Sequence, residues 1–100
     1  MKNLEISLLF DTYGEYLSDK QREVFDFYYN EDFSLSEIAE HTGMTRQGVR
    51  DWIKRTEQQL IELEEKLGFN HKVSFLKEQA SLVKAGRLEL QNLLDTIEDL

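Results

Sequence analysis

Between Thr45 and Arg55 the chain gathers Arg46, Arg50, Lys54 and Arg55 against a single acid, Asp51. That window carries a local charge of +3 in a protein of net charge −8, so the remainder sums to −11. Clustered guanidinium and ammonium groups are the chemistry that neutralises phosphate. The acidic remainder repels phosphate, which argues against nucleic acid lying over the whole surface. Two readings of the basic island stand here: a nucleic-acid contact, or a surface helix that carries its cations at that point.

Other reactive side chains are few. His41 and His71 are the only histidines. His41 falls near the end of a short predicted helix, where it is a favourable C-terminal charge rather than a catalytic base. No serine, histidine and acid arrangement, glycine-rich phosphate loop or metal-ligand spacing is present. The absence of cysteine excludes disulfides and thiolate zinc sites. Glu57, Glu62, Glu64 and Glu65 read as a solvated helix face, because a metal site needs convergent ligands. Trp52, one residue before Ile53, reads as half-buried packing rather than a base-stacking platform. The expectation is a protein that is not an enzyme and takes no cofactor or metal.

The elements that must position the island follow from spacing. The first helix runs from after Asn3 to about Tyr16, with Ile6, Leu9, Phe10, Tyr13 and Leu17 as an apolar stripe. Ser18 and Gln21 have capping-box spacing ahead of a second helix, Asp19 to Asn30. Its aromatic residues, Phe25, Phe27, Tyr28 and Tyr29, read with Phe33 as core. Ser34 and Glu37 repeat the capping box before a short third helix, Leu35 to about Thr42, which buries Leu35, Ile38 and Ala39. Gly43 suits the left-handed residue that ends a helix. Thr45 caps a fourth helix with no stop before Gly68. Asn70 can cap a final helix running to the C-terminus, with Val73, Leu76, Ala80, Val83, Arg87, Leu90, Leu94 and Ile97 in a three-four repeat that Arg87 alone breaks. That stripe packs on a second chain or folds back on the first and fourth helices. A dimer seam is preferred, because Val49, Ile53, Thr56, Leu60, Leu63 and Leu67 continue the repeat on the fourth helix.

The stretch Ser34 to Val49 thus has the chemistry of a helix-turn-helix, expected over about 34–56. Ala39 is small where the second helix crosses, Gly43 makes the turn, and Ile38, Met44, Val49 and Ile53 lock two helices at a steep angle. Thr45 leaves backbone N–H groups facing a phosphate. Arg46, Gln47, Arg50, Asp51 and Lys54 project from the first turns, the part of a recognition helix that enters the major groove.

Residues Leu17 to Leu60 resemble region 4 of bacterial sigma factors. The matching residues are Leu17-Ser18, Gln21-Arg22-Glu23-Val24-Phe25, Ser34-Leu35-Ser36-Glu37-Ile38-Ala39, Gly43, Thr45-Arg46, Val49, Ile53 and Arg55. The remaining length, with a short helix before the motif, a long one after it and an acidic balance, is similar to the YlxM or p13 type of small protein, the UPF0122 family. The resemblance implies an all-α helix-turn-helix bundle with long C-terminal helices, with no segment matching a promoter-melting domain. It also implies a link to the signal recognition particle pathway, drawn from genes that sit beside its GTPase genes. On this chain the recognition roles would fall on Thr45 and Arg46 at phosphate, Gln47 and Arg50 at base edges, and Lys54 and Arg55 at backbone phosphates. Gly48 allows close backbone approach but removes a reader, and Asp51 repels phosphate unless it accepts from cytosine.

Two function classes result. One is a DNA-binding regulator, homodimeric because few readers beside an acid give weak binding per copy. The other is a protein- or RNA-contacting module of the signal recognition particle machinery, its GTPase or its RNA, on the same scaffold. Residues 1–69 form the helix-turn-helix domain and 70–100 the C-terminal helix in this reading. Glu5 and Asp11 interrupt any secretory pattern, and no apolar run approaches the roughly 20 residues that span a bilayer. A cytoplasmic protein is expected.

Overall fold

Serine hydroxyls start two of the helices. In the computed structural model, which describes residues 3–100, Ser18 Oγ accepts from Gln21 N while Gln21 Oε1 accepts from Ser18 N, at 3.2 and 3.0 Å. Ser34 and Glu37 repeat the arrangement at 3.1 and 3.0 Å. These caps open α2 (Asp19–Tyr29) and α3 (Leu35–Thr42). Before them lies α1 (Leu4–Tyr13), with a short 3-10 turn, Gly14–Tyr16, completing the run to Tyr16. After them come α4 (Arg46–Leu67), α5 (Phe69–Lys84) and α6 (Leu90–Glu98). No strand occurs among the described residues. The protein is all-α, with a helix-turn-helix made by α3 and α4. The chain divides after Leu67 into two units.

In the first unit α1, α2 and α3 all pack on α4. Val24, Phe25, Ile38, Val49 and Leu60 are wholly buried, with Ile6, Tyr13, Leu17 and Ile53 nearly so. Phe25 is gripped edge-on by Phe10 and Tyr29, at centroid distances of 4.9 and 4.5 Å. The repeat on α4 is therefore filled within the chain: Val49, Ile53, Thr56 and Leu60 are buried against its own helices, and only Leu67 of that stripe is exposed. It is core rather than an open seam.

Polar side chains tie α4 to its neighbours. Tyr13 donates to Glu64 Oε1 and Tyr29 to Glu57 Oε2, each at 2.6 Å. Gln21, already the capping-box acceptor, donates through Nε2 to Gln59 Oε1 at 2.9 Å. The glutamate run is thus only partly a solvated face. Glu62 and Glu65 are exposed, whereas Glu57 and Glu64 are half-buried acceptors. The tyrosines lie 28 and 51 residues from those partners, beyond the reach of local spacing.

Burial, then the hydrogen bond and charge of Glu57, push the Tyr29 phenol above its ordinary 10.0. The fold thus favours the protonated phenol. Its stabilising share is present in full below about pH 10 and is lost as pH rises through the higher folded value. An alkaline titration followed by phenolate absorbance is expected to show a late phase, above the ordinary phenol range, and Tyr29→Phe should remove it. Simultaneous ionisation of all tyrosines would contradict the assignment.

The turn of the helix-turn-helix depends on Gly43, whose φ is 73°. A Cβ there meets nothing within 4 Å, so the cost of a side chain is purely conformational. Gly43→Ala is expected to lower unfolding free energy by about 1–2 kcal/mol, the left-handed penalty for an L-residue, measurable by urea melts. An unchanged midpoint would show that the turn relaxes freely.

The second unit corrects the expected single C-terminal helix. Gly68, at φ 62°, stands before α5, so Asn70 lies inside the helix rather than capping it. The helix then stops at Lys84. Gly86 takes φ 72°, with Gly86 N bonded to Val83 O and Arg87 N to Leu82 O, at 3.0 and 2.9 Å. This is a Schellman ending, which satisfies the last carbonyls and turns the chain away. Arg87, the one break in the repeat, lies in that turn, and α6 packs back on α5.

Candidate nucleic-acid interface

The position of each candidate side chain follows from how α4 is anchored. Val49 and Ile53 are buried, which fixes the rotation of the helix. With those two inward, Arg46, Arg50 and Lys54, four residues apart, share one outer face. All three are exposed, and none is ion-paired among the described residues. Their charges are free to meet an anion.

Thr45 does what its position predicted. Its Oγ1 accepts from Gly48 N at 2.9 Å, capping α4. A Cβ on Gly48 would come within 3.0 Å of that hydroxyl. The missing side chain at 48 therefore gives the cap room, a role that spacing alone does not reveal.

Gln47 is exposed on the same turn, and its Nε2 donates to Asp51 Oδ1 at 2.9 Å. Asp51 is thus not merely a repelling charge beside the cations: it holds the amide of its neighbour. While that bond lasts, Gln47 keeps its carbonyl oxygen and the second N–H of its amide, the donor and acceptor that pairing with adenine uses, and the bond fixes the direction in which they are offered.

Arg55 parts from the group. Its guanidinium carbon lies 6.0 Å from the Trp52 ring centroid, at cation–π range. By helical spacing it is turned away from the Arg46, Arg50 and Lys54 face. Trp52 is half-buried, and its Nε1 is buried without a hydrogen-bond partner among the described residues.

Two indentations line the basic face. One, of about 390 Å³, is bordered by Leu35, Arg46, Gln47 and Arg50. The other, of about 350 Å³, is bordered by Tyr28, Leu35, Arg50, Ile53, Lys54 and Glu57. They share Leu35 and Arg50, so the first turn of α3 contributes an apolar edge to the cationic stripe. Tyr28 and Leu35 had been assigned to the core alone. Nothing in their local sequence marks them as neighbours of Arg50, since only the crossing of α2 and α3 over α4 brings them there. Glu57 could have been found from its spacing, three residues beyond Lys54 on one helix.

His41 sits in the last turn of α3 and lies against the Phe27 and Phe33 rings, at 5.5 and 5.1 Å. It is remote in role from the stripe. Among the described residues no group of three or more histidine, aspartate or glutamate side chains is placed to hold a metal ion. No helix described is long and apolar enough to cross a membrane.

Comparison with known proteins extends over the whole sequence. A family model described as "UPF0122: Putative helix-turn-helix protein, YlxM / p13 like" matches residues 1–100. A UPF0122 protein of Clostridium kluyveri is 53% identical over 66 residues, 66% of this chain. The match spans 60% of that relative's length. One from Desulforamulus reducens is 48% identical over 94% of this chain and 74% of its own length. One from Listeria monocytogenes is 43% identical over 99% of this chain and 94% of its own length.

Proposed function

This chain belongs to the UPF0122 family of YlxM / p13-like helix-turn-helix proteins, and on that premise we propose that it is a DNA-binding regulatory protein that docks α4 on duplex DNA. The observation that carries the reading is the exposed row of Arg46, Arg50 and Lys54, without an ion pair among the described residues, at the start of the second helix of the motif, on a chain otherwise acidic.

Arg46 meets phosphate beside the Thr45-capped helix start, Arg50 and Gln47 reach base edges, and Lys54 meets phosphate further along. Asp51 and Gly48 tune the face: the first restrains Gln47 or accepts from cytosine, the second keeps the cap open. Arg55 contributes from its place over Trp52 only if that stack is released. Few readers per copy mean weak, weakly specific binding by one molecule. A homodimer, presenting two such faces, raises the effective affinity. The setting is cytoplasmic, and catalysis has no part in the reading.

Fluorescence anisotropy of a labelled duplex, titrated at several salt concentrations, tests it. Binding should appear at low salt and weaken linearly in log salt. Absence of binding at low salt would sink the reading. The acidic remainder of the surface, −11 outside the basic window, favours the second reading in that event. There the fold serves as a protein- or RNA-contacting module of the signal recognition particle machinery, with its GTPase or RNA as partner.

A further inference from the structure

The second unit, residues 68–100, has no buried residue in either α5 or α6. Units below about 40 residues rarely stay folded without a metal, disulfides or association, and this chain has no cysteine. Leu90, Leu94 and Ile97 fall on one face of α6, and each is 44–58% exposed. Phe69 on α5 and Leu100 beyond α6 are exposed as well. Apolar surface on this scale, concentrated in two short helices, marks an interaction site rather than scattered exposure.

The charges say what covers it. On α5, Lys72, Lys77 and Lys84 stand against Glu78 alone. By helical spacing the lysines flank the Val73, Leu76, Ala80 and Val83 stripe, while Glu78 lies opposite it. On α6 and its caps, Glu89, Asp95, Glu98 and Asp99 stand with no cation, and Glu98 borders the Leu90, Leu94 and Ile97 stripe. One helix of the hairpin is thus basic and the other acidic. A self-complementary surface of this kind is closed by a second copy under two-fold symmetry, each basic helix meeting an acidic one.

We infer that the partner of this surface is a second copy of the chain, with α5 of one protomer laid along α6 of the other, apolar stripes inward and lysines facing carboxylates. This deepens the DNA reading by naming the surface of the homodimer it invokes, and is argued from the C-terminal hairpin alone. It also departs from a long two-stranded coiled coil, because Gly86 breaks the helix that such a seam needs. Flanking charges set the pairing as they do in helical zippers.

Sedimentation equilibrium of the full chain without nucleic acid tests the inference; its failure removes this dimer, whereas docking of α4 on DNA by one copy stands or falls on the anisotropy titration. The wild-type mass should be twice the 11.9 kDa of one chain, and a monomer at micromolar concentration overturns the proposal. Two variants then test the pairing: Lys72→Glu/Lys77→Glu/Lys84→Glu, and Glu89→Lys/Asp95→Lys/Glu98→Lys. Each alone should be monomeric, and their equimolar mixture should recover the doubled mass. Variants that dimerise alone, or a mixture that does not, overturn the pairing. Should either variant lose helix by circular dichroism, Lys77→Cys and Glu98→Cys proteins are mixed under mild oxidation instead. A mixed disulfide forming faster than either self-linked species supports α5 against α6, and the reverse order overturns it.

Discussion

Arg46→Ala/Arg50→Ala is expected to weaken binding of a DNA duplex by roughly 30-fold or more at low salt, at about 1 kcal/mol or more for each arginine lost, while the fold survives. The fold survives because both side chains are exposed and make no ion pair among the described residues. Nothing in the core leans on their charge. Binding falls because the stripe has only three cations on its outward face, and the double change leaves Lys54 alone. If both arginines contact phosphate, the dependence of log affinity on log salt should flatten by about 2. If Arg50 reaches a guanine edge instead, the slope should change less and discrimination between sequences should drop. Unchanged affinity, with intact helical content by circular dichroism, would remove the basic face from the interface. The control is Lys20→Ala, which removes one exposed cation from α2 and none from α4.

Phe25→Ala is expected to cost about 3–5 kcal/mol of stability, against a typical total of about 5–15 kcal/mol for a whole domain. Phe25 is wholly buried, and its ring is held between Phe10 of α1 and Tyr29 of its own helix. Truncation removes buried apolar area and both edge-to-face contacts, and leaves a void between α1 and α2. Urea denaturation should show a large loss of midpoint or a protein unfolded in buffer. Phe25→Leu, which keeps most of the volume, should cost less. A loss below about 1 kcal/mol for the alanine variant would mean that the surrounding side chains collapse into the space. DNA binding should fall with folding in this variant, whereas in the arginine variant it falls without unfolding. The two changes together separate scaffold from interface.

Much of the fold was legible because its signals are local. Ser18–Gln21 and Ser34–Glu37 form the capping bonds their spacing requires, and each pair lies within a single turn. Gly43 adopts the left-handed turn, and Thr45 caps α4. The rotation of α4 was also legible, since the apolar residues at 49, 53 and 60 share one face that turns inward. That is why the exposed basic row could be named from sequence.

The C-terminal region was misread where two local signals conflict. The repeat from Val73 to Ile97 favours one helix, and Gly86 opposes it. Gly86 prevails because its left-handed conformation closes two backbone bonds that satisfy the end of α5. The apolar period persists across the break and by itself gives no sign of it.

By itself, then, the sequence determined the all-α class, the caps, the turn and the identity of the exposed cations, because each rests on residues within one helical turn of one another. Only the tertiary structure decided which carboxylates are solvated and which hold Tyr13 and Tyr29, that Leu35 and Tyr28 edge the basic face, and that Arg55 leans on Trp52. Only it, too, decided that the repeat on α4 is used up inside the chain. Most of these depend on side chains brought together by helices crossing in space. Even the lean of Arg55 on Trp52, within a single helix, depends on which way the packed helix faces, and a local pattern carries no record of that.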